Sequence, residues 1–276
     1  MHTTRSDGAL PPKAAVEVYR NAGYAFLALT DHWVQSENGF EKGLLLLSGC
    51  EWDSGGIGGP VYHIIGAGME KDAPLRREDK PGPQAIIDAI RQAGGIAILA
   101  HPAWSVTDPA DLLALRGLAG MEIYNSVSGL PWNGRRADSG LYVDLCAAKG
   151  ALLPCFAADD SHSYDGEQTF SFIMVNAPEL TAAALKKAVA AGNFYASQGP
   201  RFESVTVSGG HVEVCCSPVE TVVFYSNTIW CSDRVATGGV NFASYQIKPS
   251  DRYVRVELVD GGGRMAWTSP FRVQEG

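Results

Sequence analysis

The feature that most limits how this chain can fold is a recurring one: a short apolar run of strand character that ends in a histidine or a carboxylate. The run Leu153-Pro-Cys-Phe-Ala-Ala158 leads into Asp159-Asp-Ser-His162. Tyr24–Thr30 leads into Asp31-His32, Gly43–Cys50 into Glu51, and Ile96–Ala100 into His101-Pro102. Val61-Tyr-His-Ile-Ile65 carries His63 inside the run. Near-continuous apolar runs are the mark of strands buried on both faces, as in a parallel sheet or barrel. Helix patterns with clear stops lie between them: Pro11–Gly23, Gln84–Ala93 before Gly94-Gly95, one opened by Asp108-Pro109, Ala137–Lys149 before Gly150, and Thr181–Ala191 before Gly192. Met121–Tyr124, Ser171–Val175 and Phe194–Ser197 are further strand-like runs. This alternation predicts a parallel α/β sheet or barrel over residues 1–199.

Beyond Gly199-Pro200 the texture changes. Val205–Val214, Thr221–Tyr225, Tyr245–Ile247 and Tyr253–Val259 alternate with period two between Gly, Asp and Ser turns, with no helix pattern. Residues 200–276 therefore read as a small antiparallel β-sandwich domain. No tandem repeat or low-complexity tract interrupts either part.

A chain of 276 residues, 46% of them hydrophobic, can bury a sizeable core. The formal net charge of -8 argues against nucleic-acid binding beyond short nucleotides. It still allows an anionic small molecule held through bound cations. No stretch approaches the ~20 apolar residues of a membrane span, and the polar Met1–Asp7 is not a secretion signal. Cys50, Cys146, Cys155, Cys215, Cys216 and Cys231 lack C-x-x-C spacing and sit mostly in apolar runs. They read as reduced thiols of a cytoplasmic protein.

In a parallel barrel the chemistry collects at the carboxyl ends of the strands, so residues distant in sequence meet there. His2, Asp7, His32, Glu51, His63, His101, Asp160 and His162 nearly all fall at or just beyond a predicted strand end, and they include five of the six histidines. If strand geometry continues through Asp160 and His162, both point to one face, because side chains alternate. Each residue also has an ordinary explanation. His2 could be a disordered terminus, His32 a helix-cap partner of Asp31, Glu51 part of a solvated loop, His63 a core histidine, and His101-Pro102 a turn. Taken together the eight predict a cluster for divalent cations, whose mixed imidazole and carboxylate ligands suit Zn, Mn and Fe alike.

The run His2-Thr-Thr-Arg-Ser-Asp-Gly8, then Thr30-Asp-His32, Glu51 after Ser-Gly-Cys, His63, Ala100-His-Pro102 and Asp160-Ser-His162, in that order, resembles the PHP (polymerase and histidinol phosphatase) superfamily of metal-dependent hydrolases. The resemblance covers residues 1 to about 200. It implies a distorted (β/α)7 barrel with a di- or trinuclear centre at the strand C-termini. One metal would be held by His2, Glu51 and Asp160, a second by Glu51, His63 and His101 with Glu51 bridging, and a third by Asp7, His32 and His162. The segment after Gly199 is similar to the appended β-domain of a PHP branch that includes carbamate-hydrolysing enzymes. The family motif is His-x-His, and its first His would lie one residue before Met1, as would the strand leading into it. Either this chain starts at an internal Met of a longer product, which is the favoured expectation because every later ligand is present, or the first metal has lost a ligand.

Such a centre would lower the pKa of a bridging water and polarise a phosphoryl or carbonyl oxygen. The leading expectation is a phosphoesterase acting on a small phosphorylated molecule, with Glu51 at the centre and His32 or His162 protonating the leaving group. Arg135 and Arg136, in a loop after the Glu122 strand, could clamp phosphate, as could Asn125 and Arg201. Trp33, Trp104 and Trp132 could wall an apolar pocket. Glu122 matches no ligand position and stays outside the metal set. Two rivals remain open: a carbamate, ester or amide hydrolase using the same centre, and a catalytically weak metal- or partner-binding module.

Overall fold

The fold, a computed structural model, describes residues 1–56 and 58–273. Its first helix, α1 (Pro12–Asn21), has a proline in its opening turn, where a missing N–H costs nothing. It turns Ala15, Val16 and Tyr19 onto Met1, Leu27, Leu29 and Leu44. β1 (Phe26–Ala28) runs parallel to β3 (Leu44–Leu47), which is flanked on its other edge by the antiparallel β2 (Gly39–Glu41). The apolar run 43–50, one strand by sequence, breaks at Ser48. There the backbone N–H donates to Asn38 Oδ1 (2.9 Å) and the hydroxyl to the Met69 carbonyl (2.8 Å). A new strand, β4 (Gly49–Gly55), follows, so Glu51 lies inside a strand and not beyond its end.

β4 opens a five-stranded sheet continued by β5 (Val61–Ala67), β6 (Ile96–Leu99), β7 (Gly120–Asn125) and β8 (Cys155–Ala158). Its pairing is mixed: β4–β5 and β5–β6 are antiparallel, β6–β7 and β7–β8 parallel. The Gly-rich connection between β4 and β5 is hairpin length, far short of the dozen or so residues a parallel crossover needs. α2 (Pro83–Gln92) lays Ile86, Ile87 and Ile90 against Trp52, Ile64, Leu99 and Met121 of this sheet. α3 (Pro102–Ser105) and α4 (Pro109–Ala114) are single short turns. α5 (Gly140–Ala148) begins later than the sequence suggests, because Ala137 and Asp138 pair with the edge of β7: the Asn125 N–H donates to the Ala137 carbonyl, and Asp138 bridges Tyr124.

β9 (Phe172–Val175), α6 (Ala182–Ala190) and β10 (Phe194–Ser197) lead into the C-terminal strands β11 (Phe202–Ser208), β12 (His211–Ser226), β13 (Val235–Gln246), β14 (Tyr253–Val259), β15 (Met265–Trp267) and β16 (Phe271–Arg272). All eight strands form one antiparallel sheet, since β10 pairs with both β9 and β15. β12 changes partner along its length, from β11 at His211–Cys216 to β14 at Thr221–Ser226, with β13 along its other edge. Val212, Val214, Val222 and Phe224 face one buried side, the alternation expected of a half-buried strand. Among the contacts that fasten this sheet to the five-stranded one, two stand out. Trp267 stacks on Tyr124 at 5.4 Å inside the main core. The buried Arg255 forks onto Asp144 of α5 through Nε (2.8 Å) and Nη2 (2.7 Å). The fold is thus mixed α/β and mostly strand. No helix among the described residues is long and apolar enough to cross a membrane. The six cysteines are free thiols.

Candidate metal centre

The N-terminal residues are stitched into the interior. The Met1 carbonyl accepts from the Thr30 N–H (2.9 Å), the His2 N–H donates to the Ser161 carbonyl (2.8 Å), and Tyr164 Oη donates to the His2 carbonyl (2.7 Å). His2 therefore sits at 0% exposure, which removes the disordered-terminus explanation for it. The buried Asp31 carboxylate holds the next turn, accepting from the Thr3 N–H (2.7 Å), Thr3 Oγ1 (2.9 Å) and Ser6 Oγ (3.0 Å), and so presents Asp7. Gly8 closes that turn, and a Cβ on it would strike the His2 carbonyl.

Glu51 is the hub. One carboxylate oxygen lies 3.1 Å from His2 Nε2; the other lies 2.5 Å from His63 Nδ1 and 3.7 Å from His101 Nε2. Asp160 Oδ1 lies 2.9 Å from the same His2 Nε2, and its Oδ2 4.0 Å from His101 Nε2. Asp7 reaches His2 at 3.5 Å, His162 at 3.7 Å and His32 at 3.8 Å. All eight predicted residues thus join in one chain of contacts, none longer than 4.0 Å. Three sets have donor atoms within 4.8 Å of one another: His2, Glu51 and Asp160; His2, Asp7, His32 and His162; and His32, Glu51 and His63. The first is a set the sequence anticipated. The second adds His2 to its expected trio, and the third takes His32 where His101 was expected.

Asp160 and His162 reach the cluster by another route than strand alternation. β8 stops at Ala158, and Asp160 adopts the left-handed conformation at φ +57°. His162 then turns back, its Nδ1–H donating to the Asp160 carbonyl (2.7 Å). The Glu167 carboxylate secures this turn by accepting from the N–H groups of His162, Ser163 (2.5 Å) and Tyr164 (3.1 Å).

The donor set suits a divalent cation on its own chemistry. A single imidazole nitrogen of His2 faces two buried carboxylates but can carry only one proton between them, while the Nδ1 atoms of His2 and His32 are buried without hydrogen-bond partners. Burial would raise the Glu51 pKa, but the imidazoles of His101, His2 and His63 outweigh it and hold the carboxyl well below its usual range. Burial and the charge of Glu51 would also raise Asp160, yet His2 and His101 pull it down to about 2. Burial would lower both His2 and His101, but the carboxylates around them drive each up to about 9. His32 is pushed down, mainly by burial.

A pH dependence follows. The folded pKa values of His2 and His101 lie above 6.5, so in chelator-treated protein their contribution to stability is complete below 6.5 and fades as pH rises toward about 9. A cation must displace those protons. Its affinity should therefore rise up to about tenfold per pH unit for each proton displaced. Calorimetric titration with Mn2+ at pH 6.5, 7.5 and 8.5 should show tightening affinity and proton release; a flat profile would contradict these protonation states.

The candidate substrate residues divide. Asn125 is fully buried beside the cluster, with its amide committed: Nδ2 donates to Glu122 Oε2 (2.8 Å) and Asp160 Oδ2 (3.3 Å), and Oδ1 accepts from Ser128. Arg135 and Arg136 are exposed; Arg136 reaches the Trp104 carbonyl at 3.5 Å. Arg201 is exposed at the start of β11, its backbone paired with Ser217, and none of its hydrogen bonds reaches the cluster. The Trp104 ring packs edge-on to His101 at 4.9 Å, Trp33 donates to Asp53 (2.5 Å), and Trp132 is half-buried. Sequence reasoning left out Glu122, which is 1% exposed and accepts from the His101 N–H (2.8 Å); burial, chiefly, pushes its pKa to about 7. The only signal for it was a lone charge in an otherwise apolar strand.

No family model and no curated protein matches this chain. Several solved structures are similar to part of it, among them two hydrolases. One is a proposed metal-dependent phosphoesterase from Bifidobacterium adolescentis, 17% identical with a TM-score of 0.43, over 59% of this chain and 86% of that one. The other is an amidohydrolase from Chromobacterium violaceum solved with bound sulfate and no metal, 16% identical with a TM-score of 0.46, over 60% of this chain and 87% of that one.

Proposed function

We propose that this chain is a divalent-metal-dependent hydrolase of the PHP type, acting on a small phosphorylated molecule. The observation that carries the reading is the overlap of donor sets: His2, Glu51 and His32 are each shared by two sets whose donor atoms lie within 4.8 Å of one another, and shared donors are what ions a few ångströms apart would require. His2, Asp7, His32, Glu51, His63, His101, Asp160 and His162 would hold two or three ions. Such ions supply an acidified water and a Lewis acid for a phosphoryl or carbonyl oxygen. The chain's own residues orient and move protons around them. Glu51 shares its two oxygens between neighbouring imidazoles and so sets their spacing. His162 donates its Nδ1 proton to the Asp160 carbonyl, which leaves Nε2 to face Asp7 and the opening. His32, lowered by burial, is neutral at neutral pH and able to take up a proton. Trp33 and Trp104 would wall the site, and Arg136, whose guanidinium reaches the Trp104 carbonyl, would meet an anion there together with Arg135.

The distorted barrel belongs to the same proposal. The two smaller sheets meet at two seams: an isolated parallel bridge joins His32 to Glu51, and Met1 and His2 link Thr30 to Ser161. Their end strands β1 and β8 line one cavity of about 540 Å³. We assign the catalytic unit to residues 1–199 and an appended β unit, with its own core around Val212, Phe224 and Leu258, to residues 200–276. Free thiols throughout accord with a reducing compartment.

Metal analysis of purified protein, with a phosphomonoester panel assayed in Mn2+, Fe2+ or Zn2+, tests the reading. Bound metal with release of inorganic phosphate is expected. Alcohol release from aryl carbamates without phosphate release would point to the carbamate, ester or amide hydrolase that the same donors permit. Metal binding with no turnover of either class would indicate a binding module.

A further inference from the structure

β7 lies between β6 and β8 and runs parallel to both, so its carboxyl end is flanked by the residues that leave its two neighbours. Both neighbours leave in a strained conformation. His101, following β6, has φ +26° and precedes a proline; Asp160, following β8, has φ +57°. Left-handed backbone of this kind is costly at a non-glycine residue and persists only where surrounding groups hold it. The carboxylate of Glu122 accepts from the His101 N–H at 2.8 Å, and its same oxygen accepts from Asn125 Nδ2 at 2.8 Å. The Asn125 amide also reaches Asp160 Oδ2 at 3.3 Å, while its Oδ1 is anchored by the Ser128 N–H (3.1 Å) and hydroxyl (2.9 Å). Glu122 and Asn125 are both essentially inaccessible to solvent.

We propose that Glu122 and Asn125 form a positioning pair that clamps the backbone of His101 and the carboxylate of Asp160, fixing the spacing of donors from two different strands. The inference rests on the metal-centre reading and deepens it: Asn125 acts on Asp160 and not on substrate. The pair touches no reacting atom. Its effect is that one strand end sets the geometry of both neighbours, so a change there is felt on two sides of the centre.

The test is Mn2+ affinity, by competition with a chromogenic chelator, together with kcat and KM at saturating Mn2+. Glu122→Leu, which offers no acceptor, should weaken Mn2+ binding by about 10–100-fold, the size of effect seen when groups supporting a ligand are lost. kcat should fall while KM holds. Glu122→Gln retains an acceptor oxygen and should recover most of that loss. Asn125→Ala should weaken binding by about tenfold. Wild-type affinity in both Glu122→Leu and Asn125→Ala would overturn the inference, as would Glu122→Gln being as impaired as Glu122→Leu. If Glu122→Leu does not fold, Asn125→Ala at wild-type affinity overturns it alone. Failure of wild-type protein to bind Mn2+ would instead sink the metal-centre reading.

Discussion

Glu51→Gln should release metal and abolish turnover together. The carboxylate is 2% exposed and uses both oxygens, one toward His2 and one toward His63, with His101 close behind. Glutamine keeps the shape but removes the charge, and it puts an N–H2 group where one imidazole nitrogen expects an acceptor. Removing one partner from a buried charged cluster costs about 3–5 kcal/mol, so metal affinity should fall by about 100- to 4000-fold. The chelator-treated variant supplies a second reading. Glu51 is held well below 4.5, so its contribution is present above 4.5 and lost as pH falls through its folded value. Without it the pKa values of His2 and His101 should drop from about 9, and the decline in stability between pH 6.5 and 9 should flatten. Wild-type metal content in Glu51→Gln would remove Glu51 from the centre of the scheme.

Much of this site was visible in the sequence because buried strands write themselves as apolar runs, and a His or carboxylate at the end of such a run has nothing apolar to gain there. That logic located Asp31-His32, His101-Pro102 and Asp160-Ser-His162. It was weaker on how each residue arrives. Period-two alternation cannot be extended past Ala158, because a run of sequence carries no mark of where left-handed backbone will bend it, as at Asp160. Glu51 and His63 sit within strands, and β5 runs against its neighbours because a five-residue connection permits only a hairpin. Glu122 was opaque for a different reason: its partners, the His101 N–H and Asn125, come to it through strand pairing, which a single strand does not encode. The same holds for β9 and β10. Their composition marks them as strands, but not as members of the sheet built by residues 202–272. Arg201 was chosen for what guanidinium can do, and chemistry alone does not locate a side chain: its backbone pairs with Ser217.

Asp159→Ala should cost more stability than almost any other change outside the metal donors. The carboxylate lies under the centre, 4% exposed, and gathers five donors. Oδ1 accepts from the N–H groups of Phe170 (3.0 Å) and Ser171 (2.7 Å) and from Ser126 Oγ (3.1 Å). Oδ2 accepts from Tyr19 Oη (2.9 Å) and the Thr169 N–H (2.6 Å). Even so, burial leaves its pKa raised, so the environment uses its acceptor atoms more than its charge. Truncation leaves the N–H groups of Thr169, Phe170 and Ser171 without this acceptor, at about 1–3 kcal/mol for each that water cannot reach, while Tyr19 Oη keeps Ser161 Oγ at 2.8 Å. A loss of about 4 kcal/mol is expected, lowering Tm by roughly 10 °C. Asparagine keeps Oδ1 for Phe170 and Ser171 but opposes the Thr169 N–H with a donor, so it should cost about half as much. The loop these bonds secure runs from Asp159 to Ser171 and carries Asp160 and His162. Amide exchange should therefore quicken across 160–171 in Asp159→Ala, and metal binding should weaken with it. Unchanged exchange there, alongside a lowered Tm, would mean that the loop is held by Glu167 and Tyr164 instead, and that Asp159 supports only the core beneath.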